Sequence, residues 1–156
     1  MEVRLPASGR VVEPEPVIAG SKRETALEGR VLLVEDEEAV LEFERDVLAG
    51  AGAQVVALMN VEEAKSRLRA ESFDAVIMNG RMPGSWSAID AHRWVGVACP
   101  GLERKMIFTF SNIADTETRN YLQANGIAAL VKPFEVVDLI AQARRLLQKI
   151  QAAVAN

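Results

Sequence analysis

The chain has 156 residues, 49% of them apolar, which suits one domain with a real core and excludes wholesale disorder. Its net charge of −4 is mixed along the chain without a basic run, so nothing marks it for nucleic acid. The single Cys99 excludes an internal disulfide and a cysteine-rich metal site, and no apolar run approaches the roughly 18 residues of a membrane span.

Residues 1–29 read as a linker or the remnant of a preceding domain. Pro6, Pro14 and Pro16 remove backbone donors and fix φ, and no periodicity is sustained. Glu2 to Pro6 alternates like one strand, which would need a partner outside the chain. The start of the chain lacks the basic and then apolar layout of a signal peptide, and a reducing cytoplasm is the expected compartment.

From Arg30 to residue 153 the pattern is regular. Val31-Leu32-Leu33-Val34 reads as a strand buried on both faces. A helix follows from Glu37 to Ala49, with Val40, Phe43 and Val47 on one face and Gly50 as its stop. Val55 to Leu58 is a second strand, and Asn60 with Glu63 forms a capping-box-like start for a second helix. Ala75 to Met78 is the third strand, and a helix is expected over about Ser85–Val95. Met106 to Phe110 is the fourth strand, followed by a helix over Thr116–Ala124 with Asn125-Gly126 as its stop. Ala129 to Val131 is a short fifth strand. The last helix, Glu135 to about Val154, carries Val136, Leu139, Ile140, Ala143, Leu147 and Ile150 on one stripe.

Five alternations of strand and helix predict an α/β fold, with a parallel sheet covered by helices on both faces. In such a fold the functional site lies at the carboxyl ends of the strands. Those ends carry Glu35 and Asp36, Asn79, Phe110 with Ser111, and Lys132 with Pro133. Two carboxylates could take a hard cation such as Mg²⁺, and a lysine beside them could pair with either acid or meet an oxyanion.

VLLVEDEE at 31–38, the run from Asp74 through MNGRMPG to Gly84, and LVKPF at 130–134 together resemble the response-regulator receiver family over about 125 residues. The resemblance implies a flavodoxin-like (βα)5 doubly wound fold with strand order 2-1-3-4-5. It also implies that Glu35 and Asp36 are the acidic pair, with Asp36 the direct metal ligand and the backbone carbonyl of Arg81 completing the metal site. Lys132 matches the phosphate-contacting lysine, and Lys132-Pro133 matches a bond often cis in the family. Asn79 falls where the family has its phosphorylated aspartate. Phe110 falls where it has a hydroxyl residue, and Ala129 where many members have an aromatic switch.

These departures have chemical consequences. An amide is not a carboxylate nucleophile, so no aspartyl-phosphate can form on Asn79. The charge lost there weakens any Mg²⁺ site, and a Lys132–carboxylate pair could replace the cation. Phe110 cannot donate to a phosphoryl oxygen, and its ring is expected to fill the space below the site. The expectation is therefore a non-enzymatic pseudo-receiver of two-component phosphorelay signalling, acting by protein–protein interaction.

The partner would be a sensor histidine kinase core or another signalling protein, and a homodimer through the fourth and fifth helices stays open. The alternative is a phosphoaccepting receiver using Ser111 or an Asn79 restored to aspartate by deamidation at Asn79-Gly80. A small-ligand or nucleotide module is disfavoured, because no glycine-rich phosphate loop follows the first strand. The stretch from Ile107 through Asp115 to Phe134 further resembles receivers at the C-terminus of hybrid sensor kinases. His92, the single histidine, reads as a helix-face residue, and Trp86 and Trp94 as semi-buried packing on the third helix.

Overall fold

A computed structural model of the chain describes residues 26–112 and 115–155, with side chains as far as residue 147. The main strands are β1 (Arg30–Val34), β2 (Gln54–Leu58), β3 (Ala75–Asn79), β4 (Met106–Phe110) and β5 (Ala128–Val131). The helices are α1 (Glu38–Gly50), α2 (Val61–Ala70), α3 (Ala88–Ala98), α4 (Thr116–Ala124) and α5 (Val136–Ala155). All neighbouring strands are parallel, in the order β2-β1-β3-β4-β5, so the expected 2-1-3-4-5 topology is the observed one.

The apolar run of β1 is central, with Val31 to Val34 each 0% exposed. Burying such a side chain contributes about 1.5–3 kcal/mol. Alternation divides the run between two cores. Leu32 and Val34 pack under α2, α3 and α4 with Phe108 and Leu122. Val31 and Leu33 pack under α1 and α5 with Ile107 and Leu139.

Several boundaries differ from the sequence expectation, each for a local reason. The folded unit starts ahead of Arg30: Leu27 is 2% exposed, and its N–H donates to Ala51 O at 2.7 Å. Residues 1–25, including the candidate strand Glu2–Pro6, lie outside the described residues. α1 buries Leu41, Glu44 and Leu48, while Phe43 is 46% exposed, so the predicted Val40–Phe43–Val47 face is not the core face. A carboxylate at a buried position masked the true stripe. Gly50 is the last residue of α1 rather than its stop, and Gly52 (φ 114°) makes the left-handed turn. At the start of α5, Val136 is 39% exposed.

α3 begins at Ala88, later than predicted. Ser87 caps it, receiving Asp90 N–H at 3.2 Å, while the Asp90 carboxylate accepts the Ser87 N–H at 3.1 Å. Residues expected in its first turn form a small antiparallel ladder instead, Arg81–Met82 with Trp86–Ser87. Gly84 (φ 86°) and Ser85 (φ 62°) turn this hairpin. The Asn60 cap is as predicted, its Oδ1 accepting Glu63 N–H at 2.8 Å.

Candidate functional site

The parallel register brings the strand ends to one edge. Val34 pairs with Met78, and Asn79 with Thr109, so Glu35, Asn79 and Phe110 fall side by side. Lys132 follows β5 and is held there by its own N–H, which donates to Phe110 O at 2.7 Å. The Lys132-Pro133 bond is cis.

Asn79 Nδ2 donates to Glu35 Oε2 at 2.9 Å and to Asp36 Oδ1 at 3.1 Å. Its Oδ1 accepts the Arg81 N–H at 3.1 Å. Only this amide orientation is chemically consistent, because carboxylates only accept and a backbone N–H only donates. Lys132 Nζ donates to Glu35 Oε1 at 2.8 Å. Glu35 Oε2 also accepts the Glu37 N–H at 3.2 Å, and Glu35 is fully buried.

Both oxygens of Glu35 are thus occupied by protein donors. Asn79 turns its nitrogen, not its oxygen, toward the acids. As arranged, Glu35 and Asn79 present no free oxygen, so the protein oxygens left for an Mg²⁺ ion with its waters would be those of Asp36 and the Arg81 carbonyl. Two acids and one lysine leave a net charge of −1 before any ligand arrives. A cation would have to rotate the amide and displace Lys132 to gain the same oxygens. Among the described residues no cluster of three or more acids, histidines or cysteines could hold a metal.

Phe110 is 4% exposed and lies over buried Gly80. A β-carbon on residue 80 would sit 2.2 Å from the Phe110 ring, closer than carbon atoms approach. The Gly80 N–H donates to Thr109 O at 2.7 Å. Gly80 is therefore a packing partner of the aromatic ring as well as a residue after a strand end. Above them Asp36, Glu37, Asn79, Arg81, Phe110, Ser111 and Asn112 line an open hollow of about 260 Å³. Ser111 is exposed in it. Ala129 is half-buried and packs against the core cluster that contains Phe110.

The remaining sequence candidates lie away from this edge. His92 Nδ1 lies 2.7 Å from Tyr121 Oη, tying α3 to α4, and burial pushes its pKa below the usual value. Trp86 and Trp94 are half-buried against Lys65, whose ammonium lies 4.4 Å and 5.6 Å from the two ring centroids. Sequence reasoning missed Glu44, buried on α1 near Glu35 and Lys132. Burial, the Glu35 charge and, in the opposite sense, Lys132 leave its pKa raised to about 7.

Residues 31–144 match the family profile described as the response regulator receiver domain. The chain belongs to that family. The receiver is 32% identical over 117 residues to the response regulator protein FleR of Pseudomonas aeruginosa PAO1, a match covering 72% of this chain and 24% of that protein. The chain spans about a quarter of the length of the curated relatives it matches. Its fold matches a CheY-like receiver domain protein from Methanospirillum hungatei JF-1 (TM-score 0.72, 21% identity, 82% and 99% of the two chains). It also matches the receiver domain of a signal transduction histidine kinase from Syntrophus aciditrophicus (TM-score 0.68, 25% identity, 79% and 92% of the two chains). Receiver domains are signalling modules that interact with histidine kinases and other signalling proteins. No helix of the described residues is long and apolar enough to cross a membrane.

Proposed function

We propose that this receiver works in two-component signalling without a phosphorylation cycle at position 79 and without Mg²⁺. The observation that carries the reading is the Asn79 amide. It spans Glu35 and Asp36 with its nitrogen and holds the Arg81 N–H with its oxygen. In the reading, hydrogen bonds and Lys132 do the neutralising that a cation would otherwise do. Phe110 in place of a hydroxyl, packed on Gly80, removes the donor that a phosphoryl group would need.

The module acts as a binding surface, and its output depends on a partner that recognises this arrangement over another. The partner class is a sensor kinase core or another cytoplasmic signalling protein. The structural likeness to a receiver belonging to a histidine kinase supports an origin as the receiver of a hybrid kinase.

The test is intact mass before and after acetyl phosphate with Mg²⁺, with peptide mapping around residue 79. The expected result is unchanged mass and intact Asn79. A stoichiometric phosphate adduct, on Ser111 or on a deamidated residue 79, would sink the proposal.

A further inference from the structure

At the end of α1 farthest from the strand-end cluster, the entering chain runs along the wall of a second hollow. Ala26, the turn from Ala49 to Gly52, Ile140 and Arg144 line about 470 Å³ there. Leu27 fixes the entry, buried in the core with Leu139 and Ala143, its N–H donating to Ala51 O at 2.7 Å. A β-carbon on Gly52 would lie 2.7 Å from Leu27 O and 3.6 Å from the Ala26 β-carbon, so the chain is pressed against the turn after α1. Beside that turn there is room: a β-carbon on Gly50 would meet nothing within 4 Å.

Apolar side chains flank the core stripe on both helices. On α1 that stripe is Leu41, Glu44 and Leu48, and Val40, Phe43 and Val47 share the adjoining side by helical spacing. Val47 packs on the same core as Ile140 of α5, whereas Phe43 is 46% exposed. Val136 and Val137, one turn before Ile140, are 39% and 68% exposed. One exposed apolar residue is ordinary, but three beside a hollow between the same two helices make a face without a cover. Glu42 and Asp46, one turn apart on α1, are exposed and give its rim a negative charge.

We propose that the α1–α5 face is a docking site for Val17-Ile18-Ala19 of the same chain, with Ile18 set against Phe43 and Val137. Continuity favours this occupant, because the chain upstream of Ala26 starts at the wall of the hollow. Val17-Ile18-Ala19 is the apolar run next upstream, and Lys22 and Arg23, which follow it, oppose Glu42 and Asp46 in sign. Val11-Val12 is farther away and is followed by Glu13 and Glu15, which that rim repels. Reach is no obstacle. Ile18 and Ala26 are eight positions apart, roughly 26–29 Å when extended. Phe43 stands seven positions before Gly50, roughly 10 Å along the helix axis. While the segment lies there the face is closed to other proteins, and a partner that uses it must displace the segment. The inference does not rest on the chemistry of residue 79.

Methyl NMR of the full chain tests it. A mixture of labelled and unlabelled protein separates contacts within one chain from contacts between chains. The expected result is a set of Ile18 methyl signals shifted upfield by the Phe43 ring, with cross-peaks to that ring inside one chain. Phe43→Ser, outside the buried stripe of α1, should return the Ile18 methyls to their random-coil positions. Ile18→Asp should move the Phe43 and Val137 signals, and Val12→Asp should leave them in place.

Random-coil Ile18 methyls in the native chain would overturn the proposal, as would Phe43 and Val137 signals that ignore Ile18→Asp. Cross-peaks found only between labelled and unlabelled chains would put a second copy on the face instead. A Val12→Asp effect as large as that of Ile18→Asp would assign the face to a different stretch. None of these outcomes bears on the acetyl phosphate experiment, so the two readings fail separately.

Discussion

Gly80 and Phe110 are complementary: the ring occupies the space that any side chain on residue 80 would need, with a closest approach of 2.2 Å for an added β-carbon. The aromatic ring at position 110 is thus built into the packing of the residue that follows β3.

Gly80→Ala should cost about 1–3 kcal/mol, the range for overpacking a well-filled core. Combining it with Phe110→Thr should recover much of that loss, because the two sites share one contact. Phe110→Thr alone should destabilise by leaving a cavity. Urea unfolding of the four proteins closes the cycle. Additive costs would show that the ring simply moves aside.

Asn79→Asp should turn an attractive contact into a repulsive one. The new carboxylate would stand where Asn79 now donates to Glu35 and Asp36. In EDTA the variant should be less stable by about 1–3 kcal/mol, the cost of breaking a partly buried charge-assisted pairing. Mg²⁺ should restore the variant's thermal midpoint and leave the native protein unmoved. A native protein stabilised by Mg²⁺ to the same degree would contradict the metal-free reading.

The Asn79-Gly80 bond should resist deamidation in the folded state. Cyclisation needs the Gly80 nitrogen to reach the Asn79 side-chain carbon, yet that N–H is engaged with Thr109 O at 2.7 Å and the amide is held on both ends. Mass spectrometry after prolonged incubation should find residue 79 intact in native protein and converted in urea. Equal rates in the two conditions would mean that the hydrogen bonds do not restrain it.

Stability should have a tilted pH profile. Glu44 is raised from 4.5 to about 7. The unfolded state therefore releases this proton first. The stability that Glu44 contributes is complete below about pH 4.5, falls as pH rises to about 7, and is flat above. The loss is about 3 kcal/mol, and Glu44→Gln should remove that slope. Glu71 acts in the opposite sense. Hydrogen bonds from Arg67 and Arg30 hold it down at about 2, so its contribution is lost as pH falls from 4.5 through that value. Chemical denaturation across the range checks both limbs.

The sheet could be read from the sequence because its strands are buried on both faces and so appear as unbroken apolar runs. The edge cluster was legible for the same reason: once the strand ends are placed, Glu35, Asn79, Phe110 and Lys132 must converge. The α1 face was misread because periodicity counts apolar residues, and Glu44 occupies a core position as an acid. The Arg81–Ser87 hairpin escaped notice because two-residue strands have no period. Gly80 was legible only as the glycine after Asn79 that favours deamidation, since its partner Phe110 is thirty positions away and contact across a sheet leaves no local signal.

The chain's two tryptophans and single tyrosine all pack against the same core cluster, under α2, α3 and α4. Both indoles share Lys65, and Trp86 belongs to the hairpin that starts at Arg81. The protein is therefore optically one-sided. Its ultraviolet emission watches the hairpin after Asn79 and is blind to the aliphatic half between α1 and α5, where Glu44 lies. A fluorescence melt that matches one followed by backbone circular dichroism would show that the two halves come apart together. A mismatch would show that the half watched by the tryptophans and the half between α1 and α5 come apart separately.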